Sequence, residues 1–108
     1  MFRCGGVEVQ YRNFGNTGIK VSALGFGTMR LPMFPNSNTI DQEKSIELIR
    51  YAIDNGVNYI DTAYSYQDGQ AEIVTGKALK NGYRSKVYLA SKAPVWEYNN
   101  EYDFDRIL

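Results

Sequence analysis

Histidine is absent from this 108-residue chain, and cysteine occurs once, as Cys4. The usual zinc and iron–sulfur ligand sets therefore cannot be assembled within it, and no metal site is expected. A Ser–His or Cys–His nucleophilic site is excluded on the same ground. A single cysteine forms no intrachain disulfide, which suits a reducing, cytoplasmic location. Charge of one sign is not in excess either: 12 Lys and Arg balance 12 Asp and Glu. That balance gives no electrostatic reason for a nucleic-acid or anionic-membrane partner. No apolar run approaches the roughly 20 residues of a membrane span. The opening residues, Met1 to Val9, lack the apolar stretch of a secretory signal.

What is present is tyrosine, at nine copies, and a regular alternation of apolar patterns. Residues 1–9 read as a loosely ordered extension, and residues 10–108 as the one structured domain. Residues 9–24 predict a β-hairpin. Val9 to Arg12 and Ile19 to Ser22 alternate apolar and polar around the turn chemistry of Gly15-Asn16-Thr17-Gly18. Ala23 to Thr28 reads as a short buried strand, and Arg30 to Asn38 as a loop broken by Pro32 and Pro35.

A helix comes next, capped by Thr39 or Asp41, with Thr39 and Gln42 at capping-box spacing. Ile46, Ile49 and Ile53 share its apolar face with Leu48 and Ala52, and Gly56 stops it. Val57 to Ile60 follows as a strand. The unit then repeats, with a helix from Ala71 to Asn81 closed by Gly82 and a strand from Val87 to Ala90. In that second helix Ile73, Val74, Ala78 and Leu79 are the expected inward residues. Asp103 to Leu108 reads as the first turns of a third helix.

The order is thus a hairpin followed by β-α-β-α-β-α. Such alternation implies parallel strands with right-handed crossovers. It fits an open doubly wound sheet or the first three βα units of a (β/α)8 TIM barrel. A complete barrel takes about 250 residues, so a barrel reading makes this one incomplete and truncated at the C-terminus. Parallel strands are normally covered on both faces, and uncovered ones would favour self-association through the open barrel edges.

Two familiar motifs are discounted. Gly25-Phe26-Gly27-Thr28-Met29-Arg30 begins like a dinucleotide fingerprint, but arginine stands at the third glycine and no helix follows at once. Tyr88 and Lys92 have the Tyr-x-x-x-Lys spacing of short-chain dehydrogenases, yet Tyr88 sits in a strand-like run. A stronger constellation lies at strand ends. Asp61 directly follows the run ending at Ile60, and Lys92 lies just beyond the run ending at Ala90. In parallel α/β proteins ligands bind outside the C-terminal ends of strands, where these two charges can meet as an ion pair. Taken singly, Asp61 reads as a turn carboxylate, Lys92 as a solvated strand-end lysine and Tyr66 as a packing or surface aromatic. Their joint placement favours a site.

These residues resemble the aldo-keto reductase family from Gln10 onward. Asp61-Thr62-Ala63-Tyr64-Ser65-Tyr66 is similar to the family's Asp-Thr-Ala-x-x-Tyr signature, with Asp54-Asn55-Gly56 before it. Gly69, Glu72 and Gly76-Lys77-Ala78-Leu79 resemble its G-x-x-E-x-x-x-G-x-A-L helix, and Val87 to Lys92 its strand ending in lysine. The opening from Tyr11 to Pro32 is similar to a bacterial branch, some members of which carry a C-terminal ferredoxin-like domain.

The resemblance implies NADP(H)-dependent reduction of a small-molecule carbonyl, or the reverse oxidation. It makes Tyr66 the general acid, Lys92 its neighbour and Asp61 the lysine's partner. It also places Gly27, Thr28, Met29 and Asp61 along the nicotinamide. Trp96 could line the substrate pocket or simply pack. The family's fourth catalytic residue, a histidine, has no counterpart in this chain, and most of the NADP(H) site is expected on strands beyond it. The chain alone is therefore expected to be inactive. The alternative is a non-catalytic partial-barrel binding or self-associating module.

Overall fold

The computed structural model describes the backbone of residues 3–4 and 7–107 and the side chains of residues 9–107. Arg3–Cys4 (β1) and Val7–Glu8 (β2) pair antiparallel. The order expected of the 1–9 extension also concerns residues 1, 2, 5 and 6, which lie outside the described residues.

The hairpin forms where the turn glycines placed it. Tyr11–Asn13 (β3) pairs with Lys20–Ser22 (β4), Tyr11 opposite Ser22. The hairpin is fastened across the N-terminal end of the main sheet by Asn58. The Ser22 N–H donates to the Asn58 Oδ1 at 2.6 Å, and the Asn58 N–H returns a bond to the Ser22 Oγ at 3.1 Å. The Phe14 ring meets Tyr59 at 6.0 Å between centroids, adding aromatic contact at the same end.

The main sheet is parallel and three-stranded, in the order Phe26–Gly27 (β5), Tyr59–Asp61 (β6) and Tyr88–Ala90 (β7). The helices Gln42–Asp54 (α1) and Gln70–Ala78 (α2) are its crossovers, and Tyr102–Ile107 (α3) follows β7. This is the α/β alternation expected, with no closed barrel among the described residues. The strand expected over Ala23 to Thr28 shrinks to Phe26–Gly27. The Ser22 hydroxyl donates to the Leu24 carbonyl at 2.6 Å and bends the chain before β5 begins.

The core lies between sheet and helices. Ile49 and Ile53 of α1, one turn apart, pack with Ile60 of β6, Val57 and Val87, and with Ala71, Val74 and Ala78 of α2. Ile49, Ile60 and Val74 are fully buried, each contributing about 1.5–3 kcal/mol of transfer free energy. Two inward expectations are corrected. Leu48 is 40% exposed and Ile73 is 60% exposed. Adjacent helical residues lie about 100° apart, so the faces set by Ile49 and Val74 turn their neighbours outward.

Helix ends show which polar groups win. Asp41, not Thr39, caps α1, its Oδ1 accepting the Lys44 N–H at 3.1 Å. Thr39 is spent elsewhere, its carbonyl accepting the Phe34 N–H at 3.0 Å. Gln42 makes no capping box and instead accepts from the Lys77 ammonium at 2.8 Å. The second helix, expected to reach Asn81, stops at Ala78 because Arg50 takes its terminal carbonyls. The Nε donates to Ala78 O at 2.9 Å and the Nη2 to Lys77 O at 3.4 Å. Asn81 and Gly82 then turn left-handed, which no continuing helix permits.

Gly56 ends α1 at φ 104°. A Cβ there would lie 3.0 Å from the Val9 Cγ2 and 3.1 Å from the Tyr11 Oη, whose hydroxyl donates to the Gly56 carbonyl at 2.8 Å. Both backbone and space exclude a side chain. Gly56→Ala should lower stability by more than about 1 kcal/mol in urea unfolding.

Candidate active site

The parallel register places Gly27, Asp61 and Ala90 on one rung at the C-terminal ends of β5, β6 and β7. The Thr62 N–H donates to Ala90 O at 2.9 Å and extends the ladder one step. Lys92 lies two residues past Ala90, and the two-residue period of extended chain aims it back over the sheet end. There it meets Asp61. The Lys92 Nζ lies 2.8 Å from Oδ1 and 2.9 Å from Oδ2, and 2.9 Å from the Thr62 carbonyl. An ammonium has three N–H donors, and here three acceptors surround it.

Tyr66 stands beside this pair. The turn after β6 carries it, with the Tyr66 N–H bonded to Ala63 O at 3.2 Å, and its ring packs against the core. The Lys92 Nζ sits over the ring face, 4.8 Å from its centroid. The Tyr66 hydroxyl donates to the Asp61 Oδ2 at 3.5 Å, the long limit of a hydrogen bond. The three residues read jointly from the sequence are therefore brought together. Thr28 is completely buried, its N–H and hydroxyl both donating to the Asp61 carbonyl, at 3.0 and 3.1 Å. Gly27 and Met29 flank it with open surface. A Cβ on Gly27 would meet nothing within 4 Å, and Met29 is 57% exposed.

Trp96 projects from a 3₁₀ turn at Val95–Glu97 and is 66% exposed. With Tyr64, Ser65, Asp68, Gly69 and Glu97 it lines a depression of about 310 Å³ beside the β6–α2 turn. Tyr88 lies on β7 rather than on a helix, and no helix follows β5 at once, so the two discounted motifs stay discounted.

Three contributors were not read from the sequence. The Ser91 hydroxyl donates to the Glu72 carboxylate of α2, steadying the residue before Lys92. Gln67 and Gln70 bond backbone groups of the β5–α1 loop. Nothing in their spacing marks these roles, since each partner is distant along the chain.

Lys92 is held above its ordinary value. Partial burial works to depress it, but the hydrogen bonds and charge of Asp61, with the adjoining Tyr66, outweigh that effect. A raised lysine contributes stability that is fully present below its unfolded value and lost as pH rises through the folded one. The pair is about half exposed, so solvent screening keeps the contribution small. The stability difference between the native chain and Lys92→Met should hold steady from about pH 7 to about pH 10 and change only above that window. Urea unfolding across the range measures it.

Known proteins resemble the chain in sequence and in fold. Residues 23–106 match the model of the aldo/keto reductase family. The aldo-keto reductase YhdN of Bacillus subtilis is 40% identical over 94 residues, covering 86% of this chain and 28% of that protein. Probable aldo-keto reductase 1 of Glycine max is 36% identical over 85 residues, covering 79% and 24% respectively. The solved aldo-keto reductase AKR11C1 of Bacillus halodurans, in its holo form, superposes with a TM-score of 0.65 at 33% identity. That match covers 78% of this chain and 26% of the other. The chain thus spans about a quarter of the length of these relatives, and the solved one is a TIM barrel. On its sequence and its fold, the chain belongs to the aldo/keto reductase family.

Proposed function

We propose that the chain supplies the proton-handling part of an NADP(H)-dependent oxidoreductase site that interconverts a small-molecule carbonyl and its alcohol. The observation that carries this reading is the convergence of Tyr66, Lys92 and Asp61 at the C-terminal ends of parallel strands. That pole is where βα proteins of this kind bind their ligands. Family membership supports the oxidoreductase class.

Tyr66 is the group with a proton to give. Free tyrosine holds its proton at neutral pH, with a pKa near 10. An ammonium beside a phenol stabilises the phenolate left when that proton is transferred. With its three donors occupied, Lys92 acts on Tyr66 as a fixed point charge, and Asp61 keeps that charge in place. In the oxidative direction Tyr66 takes the proton back.

The rim of the sheet suits a flat ring. The open space over Gly27 and the exposed Met29 would flank the nicotinamide, with Thr28 fixing the strand end and Asp61 closing the floor. When bound, NADPH supplies the hydride. Tyr64 and Trp96 in the neighbouring depression would meet the substrate. The balanced charge and single cysteine support a cytoplasmic enzyme without nucleic-acid or membrane partners. No helix among the described residues is long and apolar enough to cross a membrane.

The chain alone, which has no histidine, is expected to give no NADPH-dependent carbonyl reduction above the blank. Steady turnover by the pure 108-residue protein would refute that expectation. Residues 23–106 exchanged into the Bacillus subtilis relative should restore NADPH-dependent reduction of an aromatic aldehyde. In that chimera Tyr66→Phe should lower kcat by about 100-fold or more with cofactor affinity kept. Turnover indifferent to the loss of the hydroxyl would remove Tyr66 as the acid.

A further inference from the structure

The residues after Tyr66 carry left-handed backbone three times in succession. Gln67 lies at φ 50°, Asp68 at 56° and Gly69 at 84°. Glycine enters this region freely, but a glutamine stays there only where its surroundings over-determine it. For Gln67 the determinant is its own side chain. The Leu31 N–H donates to its Oε1 at 2.9 Å, and its Nε2 donates to the Leu31 carbonyl at 2.9 Å. One side-chain amide thereby makes the two bonds that a paired strand residue would make. Leu31 itself is only 4% exposed and belongs to the core against which Tyr66 packs.

This clamp closes a short circuit. Thr28 is fastened to the Asp61 carbonyl by two hydrogen bonds. Leu31 is fastened to the residue next to Tyr66. Met29 and Arg30 are the span between the two fasteners. The wall proposed to face the nicotinamide and the residue proposed to deliver the proton are therefore tied together through one glutamine. In carbonyl reduction hydride and proton reach adjacent atoms of one substrate, so the spacing of those two elements governs alignment.

The geometry points to Gln67 as a positioning residue that sets Tyr66 against Lys92 and Asp61 and against the Met29 wall. The inference rests on the reading of Tyr66 as the acid. Gln70 provides the internal comparison. Its Oε1 accepts the Ile40 N–H at 3.0 Å and its Nε2 donates to Asn38 O at 2.7 Å, at the far end of the same loop. Its Nε2 also donates to the Gln67 carbonyl at 3.0 Å, but it bonds neither Leu31 nor Tyr66.

The test is nuclear magnetic resonance on the full chain. The Lys92 ammonium lies over the Tyr66 ring, so the Lys92 ε-methylene protons should carry a ring-current shift that reports their mutual placement. Gln67→Met keeps the volume and loses both bonds. It should speed exchange of the Leu31 amide by about tenfold and abolish most of the Lys92 shift. Gln67→Glu keeps an acceptor for the Leu31 N–H but sets a carboxylate against its carbonyl, and should move both signals in the same direction. Gln67→Gly relieves the left-handed strain, so it reads the loss of the clamp even if the methionine variant folds poorly. Protection of the Ile60 amide in β6 serves as the fold control. Gln70→Met loses one bond to the Gln67 carbonyl but keeps the Leu31 clamp, so it should free the Ile40 amide and leave most of the Lys92 shift intact.

A Lys92 shift that survives in Gln67→Met and Gln67→Gly would reduce Gln67 to a loop tether and overturn the proposal. So would an equal loss of the shift in Gln70→Met. None of these signals depends on turnover. If Tyr66→Phe leaves the chimera active, the acid assignment fails while the clamp is judged separately.

Discussion

Asp61 joins the two halves of this structure through two different groups. Its backbone carbonyl receives both donors of Thr28, which fixes the end of β5. Its carboxylate receives the Lys92 ammonium, which fixes the chain leaving β7. Three strand ends are thus referred to one residue in the middle of the sheet. An exposed ion pair of this kind adds little stability, because water screens it and ordering a long lysine costs entropy. Its value is geometric. Burial beneath it does the holding, through Ile60 on the opposite face of the same strand.

The two ends of the sheet are built from different chemistry. At the N-terminal end, Asn58, Ser22, Phe14 and Tyr59 bind the hairpin with neutral hydrogen bonds and ring contact. At the C-terminal end stand the Asp61–Lys92 pair, the left-handed Gln67 and Asp68 and the exposed aromatics Tyr64 and Trp96. The strain at Gln67 and Asp68 costs stability, and it falls where a ligand would be met. The N-terminal end packs tightly around Gly56.

Much of this was legible in the sequence because periodicity reports burial. The four-residue step from Ile49 to Ile53 gave α1 its inward face, and the turn glycines gave the hairpin its position. Asp61 and Lys92 could be read as partners because one directly follows an apolar run and the other lies just beyond one, and parallel strands bring the ends of such runs together. What escaped was decided by competition between neighbours or by partners remote in sequence. Ile73 reads as core by type, yet Val74 claims the inward face of α2. Thr39 reads as a cap until Phe34 takes its carbonyl. Gln67 and Gln70 read as ordinary polar residues, since a side-chain amide announces nothing about the backbone it will imitate. The site residues were legible as types at spacings; the contacts that hold them were not.

The crowding of acceptors around Lys92 has a chemical consequence of its own. A lysine beside a carbonyl compound ordinarily invites condensation, in which the free amine attacks the carbonyl carbon and expels water to leave an imine. That attack needs a nitrogen lone pair. Lys92 is pushed to a higher pKa, and its three N–H groups point at Asp61 and Thr62. The lone pair is thereby occupied by a proton over the neutral range. On the proposed function, an aldehyde or ketone entering this site would meet a lysine unable to form a Schiff base with it.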